Sequence, residues 1–310
     1  MRVVILGGSG FVGYALATRL SADGHGVRVL TRRRERHREL LVLPELELVE
    51  GDVFQPAFLR EQFAGFDAVV NLVGILNESG RSGKGFARAH AELPGRVVDA
   101  MRSVGVTRLL HMSALNASAQ APSHYLRSKA AGEEIVRRGG LRWTIFRPSV
   151  IFGPRDSFVN RFAALLRLMP GVFPLACPDA HLQPVYIGDV AHAYAQALTD
   201  ERTAGQSYNL CGPDAYTLRE IVSRIAGWTG RRVRILGLNR ALSFAQALVM
   251  EFAPGKPFSL DNFRSLQIDN VCPGPFPAVF GIEPASFDAE VPRYLSAGQH
   301  YDRLRSNARR

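Results

Sequence analysis

Three side chains in the middle of the chain have the types and the spacing needed for proton transfer. Ser113 follows a short apolar run, and Tyr125 and Lys129 stand four positions apart, twelve residues later. Residues four apart lie one turn apart on the same face of a helix. There an ammonium can lower the pKa of a phenol by stabilising the phenolate, and a serine hydroxyl can orient a substrate oxygen. We predict that Tyr125 is the acid/base, Lys129 its pKa modifier and Ser113 the orienting hydroxyl.

Lys129 is an unusual choice of base for this chain. Only three of the 38 basic residues are lysines, namely Lys84, Lys129 and Lys256. A tyrosine four positions before a lysine is common by chance and is usually a surface pair. However, arginine replaces lysine poorly beside a ribose and a phenol, because the compact ammonium is what fits there. The spacing and the choice of lysine together favour an active site over a surface pair.

The elements that must position this group begin at the N-terminus. Residues 3–6 are a continuous apolar, β-branched run, which is typical of a buried parallel strand. Glycines follow at 7, 10 and 13, directly before an amphipathic run. Gly7 permits a tight turn, Gly10 lets a pyrophosphate approach the backbone, and Gly13 lets the helix pack closely on the strand. The free N–H groups of the helix N-terminus then face the phosphates. The pattern predicts a dinucleotide site, and a purely structural turn is the alternative.

The tip of the second predicted strand, Val27 to Thr31, indicates which dinucleotide is bound. An acid at this point binds the ribose 2′-hydroxyl of NAD, whereas an arginine accommodates the 2′-phosphate of NADP. Thr31 is followed by Arg32, and no acid occurs before Glu35. We therefore predict NADP(H) in preference to NAD(H). After the third strand, Asp52 either accepts a hydrogen bond from the adenine amino group or caps the next helix.

Strands and helices alternate through the first half of the chain. This alternation predicts an α/β fold with a Rossmann-type, doubly wound parallel sheet and a smaller, mostly helical C-terminal lobe. We expect the strand at 67–74 to end in the ligand crevice, and residues 77–85 to form a mobile loop. Residues 183–187 are predicted to return to the main sheet. The predicted domains are therefore 1–152 plus 183–210 for the nucleotide, and 153–182 plus 211–310 for a substrate or partner.

Composition excludes several classes of protein. Apolar residues make up 46% and charged residues 21% of the 310 residues, which is typical of a globular chain. The net charge is +10, but the arginines are spread out and form no nucleic-acid motif, apart from clusters at 32–38 and 303–310. The three cysteines, in no metal spacing, are expected to be reduced thiols, and His111, His181 and His192 have no partner at ligand spacing. No apolar run is long enough to span a bilayer and the first strand begins at once, so we expect a cytoplasmic protein.

Together, the glycine pattern, Asp52, Ser113, Tyr125 and Lys129 resemble the extended short-chain dehydrogenase/reductase group, which includes epimerases and dehydratases. Further segments narrow this resemblance: 71–76, 147–154, 156–162 and 183–190. They are similar to the atypical branch that contains the NAD(P)H-binding alpha-subcomplex subunit of respiratory complex I and its bacterial relatives. The resemblance covers essentially the whole chain. It implies a tightly held NADP(H), and it implies that Pro148, Ser149 and Val150 line the nicotinamide end.

The residue patterns and the family resemblance together predict the site and its partners. The predicted cofactor-binding residues are Gly7, Ser9, Gly10, Phe11, Val12, Gly13, Thr31, Arg32, Asp52, Val53, Leu72, Val73, Gly74, Met112, Tyr125, Lys129, Pro148, Ser149 and Val150. No metal and no nucleic acid are predicted. One hypothesis is an oxidoreductase with a small-molecule substrate. The other is a non-catalytic protein that holds or senses NADP(H) beside a respiratory or quinone-related partner, peripheral to the inner membrane. A sugar-nucleotide epimerase is a third hypothesis, although no second phosphate-binding site is recognisable.

Overall fold

The computed structural model of the chain describes residues 1–169, 171–253 and 256–295. The predicted basic segment at 303–310 lies outside them. The strands are β1 Arg2–Leu6, β2 Gly26–Thr31, β3 Leu46–Glu50, β4 Ala68–Asn71, β5 Arg108–Met112, β6 Arg142–Pro148, β7 Ile151–Phe152, β8 Gly171–Leu175, β9 His181–Leu182, β10 Val185–Tyr186, β11 Gln206–Leu210, β12 Tyr216–Thr217 and β13 Val233–Gly237.

The α-helices are α1 Phe11–Ala22, α2 Pro56–Phe63, α3 Lys84–Ala87, α4 Leu93–Val104, α5 His124–Arg138, α6 Val159–Leu168, α7 Ile187–Thr199, α8 Leu218–Trp228, α9 Arg240–Met250 and α10 Leu260–Ser265, and residues 287–295 are also helical. A π-helical segment, Arg88–Glu92, joins α3 to α4. Short 3₁₀ segments occur at Arg34–Val42, Glu201–Thr203 and Ala278–Phe280. None of the helices in the described part of the chain is both long enough and apolar enough to span a membrane.

Seven parallel strands form the main sheet, in the order β3-β2-β1-β4-β5-β6-β11. β4 and the last four residues of β1 are entirely buried, as expected for strands covered by helices on both faces. The strand order reverses between β1 and β4. In such sheets the ligand crevice opens at the carboxyl ends of the two strands where the order reverses. The predicted doubly wound α/β fold is confirmed.

The chain divides into two units. The first comprises Met1–Pro148, Gly188–Leu210 and Pro277–Ile282; the second comprises Ser149–Ile187, Cys211–Phe276 and Glu283–Arg310. In the first, an apolar core packs one side of the main sheet against α2, α4 and α5, through Val4, Val69, Leu109, Phe63, Val97 and Val136. The second contains α6, α8, α9, α10 and three two-stranded sheets, β7–β10, β8–β13 and β9–β12.

The expected return of residues 183–187 to the main sheet is wrong. β10 pairs with β7 in a separate sheet, and Val185 N–H donates to Val150 O at 3.0 Å. The place beside β6 is taken by β11, whose five residues pair in register with residues 144–148. A five-residue strand satisfies more backbone hydrogen-bonding groups than the two-residue β10 can. In addition, Pro184, which directly precedes β10, has no backbone N–H to donate.

The expectation of reduced cysteines is also wrong for two of the three. Cys211 and Cys272 form a disulfide with a Cα–Cα distance of 6.1 Å, and Cys177 is free. The partners are 61 positions apart in sequence, so their spacing gives no signal. Gln183 brings the two segments together, because its side chain donates to Gly212 O at 2.7 Å and accepts from Cys272 N–H at 2.9 Å. The pairing is therefore a product of tertiary structure.

Candidate active site

The glycine turn after β1 lies at the point where the strand order reverses. Gly7 has φ +75, and a Cβ there would lie 3.0 Å from the backbone of Leu72, just past the end of β4. A Cβ on Gly13 would lie 2.3 Å from Gly8 Cα, so α1 approaches the turn as closely as a backbone can. Gly10 is the N-cap of α1. The structure therefore gives Gly7 and Gly13 the steric roles predicted from their spacing.

The N-terminus of α1 carries no internal counter-charge. No side chain from the part of the chain that the structure describes caps it, and its first turn contains no acid. The backbone N–H groups at Phe11, Val12 and Gly13 belong to the first turn, which has no intrahelical acceptors for them. Beside it, Thr31 Oγ1 donates to Ser9 Oγ at 3.3 Å, which ties the tip of β2 to the turn. Uncapped helix donors in a glycine turn fit the pyrophosphate of a dinucleotide.

At the tip of β2 the exposed charge is basic. Arg32 is exposed and directly follows Thr31. The residue paired with Thr31 on β3 is Glu50, an acid on the neighbouring strand. Its carboxylate already accepts a hydrogen bond from Arg34 N–H at 2.7 Å. Among the described residues, the Arg32 guanidinium at this tip has no ion-pair partner, whereas the Glu50 carboxylate accepts a backbone hydrogen bond.

Asp52 and Val53 follow β3. Asp52 Oδ1 accepts from Phe54 N–H at 2.9 Å, so it closes a turn. The N-cap of α2 is Gln55, which makes the helix-capping alternative for Asp52 wrong. Val53 is buried in the core of the first unit. The adenine role of both residues stays a prediction.

The segment after β4 passes directly over the lysine. Val73 N–H donates to the side chain of Asn71 at 3.2 Å, which fixes the turn. A Cβ on Gly74 would lie 3.2 Å from Lys129 Nζ and 3.4 Å from His90 Nε2. Gly74 therefore leaves these two side chains close to the backbone, with little room to spare.

Lys129 is buried on α5, and its ammonium is anchored at the end of β5. Nζ donates to Met112 O at 3.0 Å and lies 6.0 Å from the centroid of the Tyr125 ring. Burial lowers the pKa of Lys129 to about 8, against the opposing effect of Glu133. Because Ser113 follows Met112, this hydrogen bond brings the ammonium to the backbone beside the serine. The ammonium of Lys129 therefore lies near the Tyr125 ring and at the backbone that directly precedes Ser113.

The predicted lowering of the tyrosine pKa is not found. The Tyr125 ring packs against Phe86 and His90, with centroids 6.0 and 5.4 Å away. Although the residue keeps some exposure, this burial raises the pKa of Tyr125 to about 12. The reason is that desolvation disfavours phenolate, and the ammonium is directed to Met112 O. Tyr125 is therefore a neutral phenol at physiological pH, which suits it to donate a proton.

Glu133 is a residue of this site that the sequence analysis missed. Its buried carboxylate accepts from Arg147 Nε at 2.7 Å and Nη2 at 2.5 Å, and it pairs with Arg137 at 2.6 Å. Burial is the largest single influence and opposes ionisation, but the hydrogen bonds to the carboxylate and the charges of Arg147 and Arg137 together outweigh it and hold the pKa of Glu133 below its ordinary value. The Ser113 hydroxyl also favours the ionised form of Glu133, yet it is buried without a hydrogen bond of ordinary geometry. A buried hydroxyl in this state has hydrogen-bonding capacity that the folded chain does not use.

We expect Glu133→Gln to lower the free energy of unfolding by about 2 kcal/mol, because it leaves Arg147 without a counter-charge. It should also lower the pKa of Lys129, which Glu133 raises. Above about pH 8, Lys129 has lost its proton in the folded chain but still holds it in the unfolded chain. The contribution of Lys129 to the free energy of unfolding therefore rises with pH. In the variant this rise should begin at a lower pH, as measured by urea unfolding across a pH series.

Glu134→Gln is the matched control for this experiment. Glu134 is the next residue, but its side chain is exposed and pairs with Arg138 at the surface. Exposed pairs of this kind contribute little, so the change in stability should stay below about 0.5 kcal/mol. If both variants gave the same pH curve, Glu133 would have no effect on Lys129.

His90 is a second missed residue, and it holds the tyrosine turn in place. Its Nε2 accepts from Ile75 N–H at 3.0 Å, so the ring proton lies on Nδ1, 2.8 Å from Ser128 Oγ. Ser128 in turn donates to Tyr125 O at 2.7 Å. Burial lowers the pKa of His90 to about 2, so the ring is neutral. A histidine in an amphipathic helix carries no sequence signal for such a role.

The segment at 77–85, expected to be a mobile loop, is tied down by Glu78. Its buried carboxylate accepts from Gly83 N–H at 2.6 Å and from Gly85 N–H at 2.8 Å. The sequence does not indicate these contacts, because both hydrogen-bond donors are backbone N–H groups, which every residue except proline has. The loop leads into α3 and the π-helical segment that carries His90, so Glu78 helps to place that histidine.

The three residues expected at the nicotinamide end belong to different units. Pro148 ends β6, and its carbonyl accepts from Leu115 N–H at 3.0 Å. Ser149 and Val150 lie in the second unit, where the Ser149 hydroxyl contacts Asn270. Among the described residues, no group of three or more His, Cys, Asp or Glu side chains is placed to hold a metal.

The sheet, the glycine turn and the Ser113–Tyr125–Lys129 group define a Rossmann-type α/β protein with a dinucleotide-type crevice. The chain belongs to the NAD dependent epimerase/dehydratase family, whose model matches residues 3–211. It is 29% identical to the mouse mitochondrial "NADH dehydrogenase [ubiquinone] 1 alpha subcomplex subunit 9", over 97% of this chain and 81% of that protein.

The chain is also similar to a reductase and to a dehydratase of known structure. The chain is 30% identical to a "(4-alkanoyl-5-oxo-2,5-dihydrofuran-3-yl)methyl phosphate reductase" of Streptomyces griseus, over 81% of this chain and 82% of that protein. A dTDP-glucose 4,6-dehydratase structure from Streptomyces venezuelae superposes with a TM-score of 0.71. It covers 96% of each chain at 21% identity, and this likeness concerns the fold.

Proposed function

We propose that this protein is an NADP(H)-dependent reductase that converts a carbonyl group to an alcohol. One observation carries the proposal: the Lys129 ammonium is anchored at the carboxyl end of β5, next to Ser113 in sequence and 6.0 Å from the ring of Tyr125, whose phenol stays protonated. A neutral phenol suits the reductive direction, because reduction of a carbonyl consumes a proton. The reductase name of the Streptomyces griseus relative supports reduction as the class of reaction, and the carbonyl group as the target rests on the protonated phenol.

The residues would divide the work as follows. The glycine turn and Arg32 would hold the phosphates of NADP(H), which when bound supplies the hydride. Tyr125 would donate its proton to the carbonyl oxygen as negative charge develops there. The Ser113 hydroxyl would orient that oxygen, and the Lys129 ammonium would stabilise the phenolate left after proton transfer if it turned from Met112 O toward Tyr125 once the cofactor is bound. Glu133 and His90 are positioning residues in this scheme.

The test is a panel of aldehydes and ketones offered with NADPH, followed by the loss of NADPH absorbance and by mass spectrometry of the product. Consumption of NADPH with formation of a matching alcohol supports the proposal. A bound NADP(H) that survives dialysis and is not consumed by any compound argues against turnover. It would instead support the second candidate.

The second candidate is a protein that holds or senses NADP(H) next to a respiratory or quinone-related partner. It is favoured by the length of the likeness to the complex I subunit, which spans 97% of this chain. A pull-down of the full chain from its own cells distinguishes the two. Co-purification with respiratory proteins together with non-exchanging NADP(H) supports this candidate, and a partner-free protein with rapidly exchanging nucleotide contradicts it.

Arg32→Ala should weaken NADPH binding about tenfold and leave NADH binding unchanged, because the two cofactors differ only in the 2′-phosphate. The measurement is fluorescence titration with each nucleotide. Arg36→Ala, at an exposed arginine of the same segment, is the matched control and should change neither affinity. Equal weakening of both nucleotides would mean that Arg32 does not read the phosphate.

A further inference from the structure

Helix α9 has its polar face turned inward. The side chains that it buries are Ser243, Ala247 and Glu251, the last just past its end. Ser243 accepts from Cys177 N–H at 3.0 Å and donates to Leu238 O, and Glu251 pairs with Lys256 at 2.7 Å. The interior of the second unit therefore uses small and polar side chains from this helix. Surface helices usually have the opposite arrangement.

The outward face of α9 is correspondingly apolar. Leu242 is 53% exposed and Val249 is 69% exposed, and Leu248 is also exposed. Spacings of three, four and seven residues place them, with Ala241 and Ala245, on one stripe of the helix. Phe252, just beyond the helix, is 78% exposed. No charged residue occurs between 241 and 250. A continuous stripe of this kind marks an interaction surface.

The segment that leads into the helix and the first residue of the helix are strongly basic. Arg231, Arg232 and Arg234 lie on or just before β13, which leads into α9, and Arg240 is the first residue of the helix. All four are exposed, and within the described residues none of them forms an ion pair. There is no Asp or Glu between residues 231 and 250. The surface therefore combines exposed apolar side chains with positive charge that nothing on the same segment neutralises.

We propose that α9 lies in the headgroup region of an anionic lipid bilayer, with its apolar stripe inserted and the four arginines on lipid phosphates. An exposed apolar helix stripe in a segment that carries four exposed arginines and no acid is what such an interface binds, and the 11-residue helix is too short to span it. A second copy of the chain fits poorly, because a symmetric contact would set the same arginines against one another. Nucleic acid would leave the apolar side chains without a partner.

The experiment is co-sedimentation of the full chain with vesicles of phosphatidylcholine alone and with vesicles that also contain phosphatidylglycerol. We expect binding to the anionic vesicles that weakens as salt is raised. The double variant Leu242→Glu/Val249→Glu should lower this binding at least about tenfold. The control is Leu41→Glu/Val42→Glu, which places the same changes on exposed apolar residues of the first unit and should bind normally.

Several outcomes would overturn the proposal. Equal binding to neutral and anionic vesicles would contradict the proposal that the arginines bind anionic lipids. Unchanged binding of the α9 variant would place the contact elsewhere in the chain. A lipid-free dimer that the α9 variant dissociates would identify a second copy as the occupant. None of these readouts depends on NADP(H) or on turnover, so failure here leaves the proposed reductase activity untouched.

Discussion

Tyr125→Phe will lower the turnover number for carbonyl reduction about 10³-fold, since general acid catalysis is typically worth 10²–10⁴. The phenol is the protonated group of the site, and phenylalanine keeps its ring contacts with Phe86 and His90. The variant should therefore remain folded and should bind NADPH with nearly the same affinity. The measurements are steady-state rates on a substrate found in the carbonyl panel, with the binding constant determined separately.

Tyr208→Phe is the matched control for this change. Tyr208 lies on β11, and its ring packs against Phe280, which phenylalanine would preserve. No change in rate is expected for it. A Tyr125→Phe protein with an undiminished rate would remove the tyrosine from the chemistry. A loss of NADPH binding in parallel with the rate would instead assign Tyr125 a role in holding the cofactor.

Gly13→Ala should abolish the dinucleotide site without any change of charge. The added Cβ would lie 2.3 Å from Gly8 Cα and 2.4 Å from Gly7 O, and neither backbone atom can move without displacing α1 or the turn. We expect a loss of about 3 kcal/mol in the free energy of unfolding. NADPH affinity should fall at least about a hundredfold, because the helix N-terminus leaves its place beside the turn. Urea unfolding and calorimetric titration measure the two effects.

Gly95→Ala is the matched control, because it is the same substitution in another helix of the same unit. A Cβ there would lie 3.8 Å from the nearest atom, on Ile135, which is an ordinary contact. Alanine at such a position usually stabilises a helix by about 0.5–1 kcal/mol. If Gly13→Ala behaved like Gly95→Ala, the close approach of α1 to the turn would play no part in folding or binding.

The sequence by itself determined the features that depend on local pattern. The apolar run at 3–6 and the glycines at 7, 10 and 13 specify a strand, a turn and a helix, because each requirement concerns neighbouring residues. The spacing of Tyr125 and Lys129 likewise places both on one face of α5, and Ser113 follows a recognisable strand. These local signals were sufficient to predict the doubly wound sheet and the family, and both predictions are confirmed.

Only the tertiary structure decided the features that depend on distant segments and on burial. The environment of Lys129 comes from Met112 O and Glu133, and burial rather than charge sets the pKa of Tyr125. The partner of Cys211 lies 61 residues away, and β11 rather than β10 completes the main sheet. In each case, the outcome depends on the atoms that exclude water from a group or satisfy its hydrogen bonds. These surroundings are a property of the packed chain, whereas the periodicities of strands and helices are properties of the sequence.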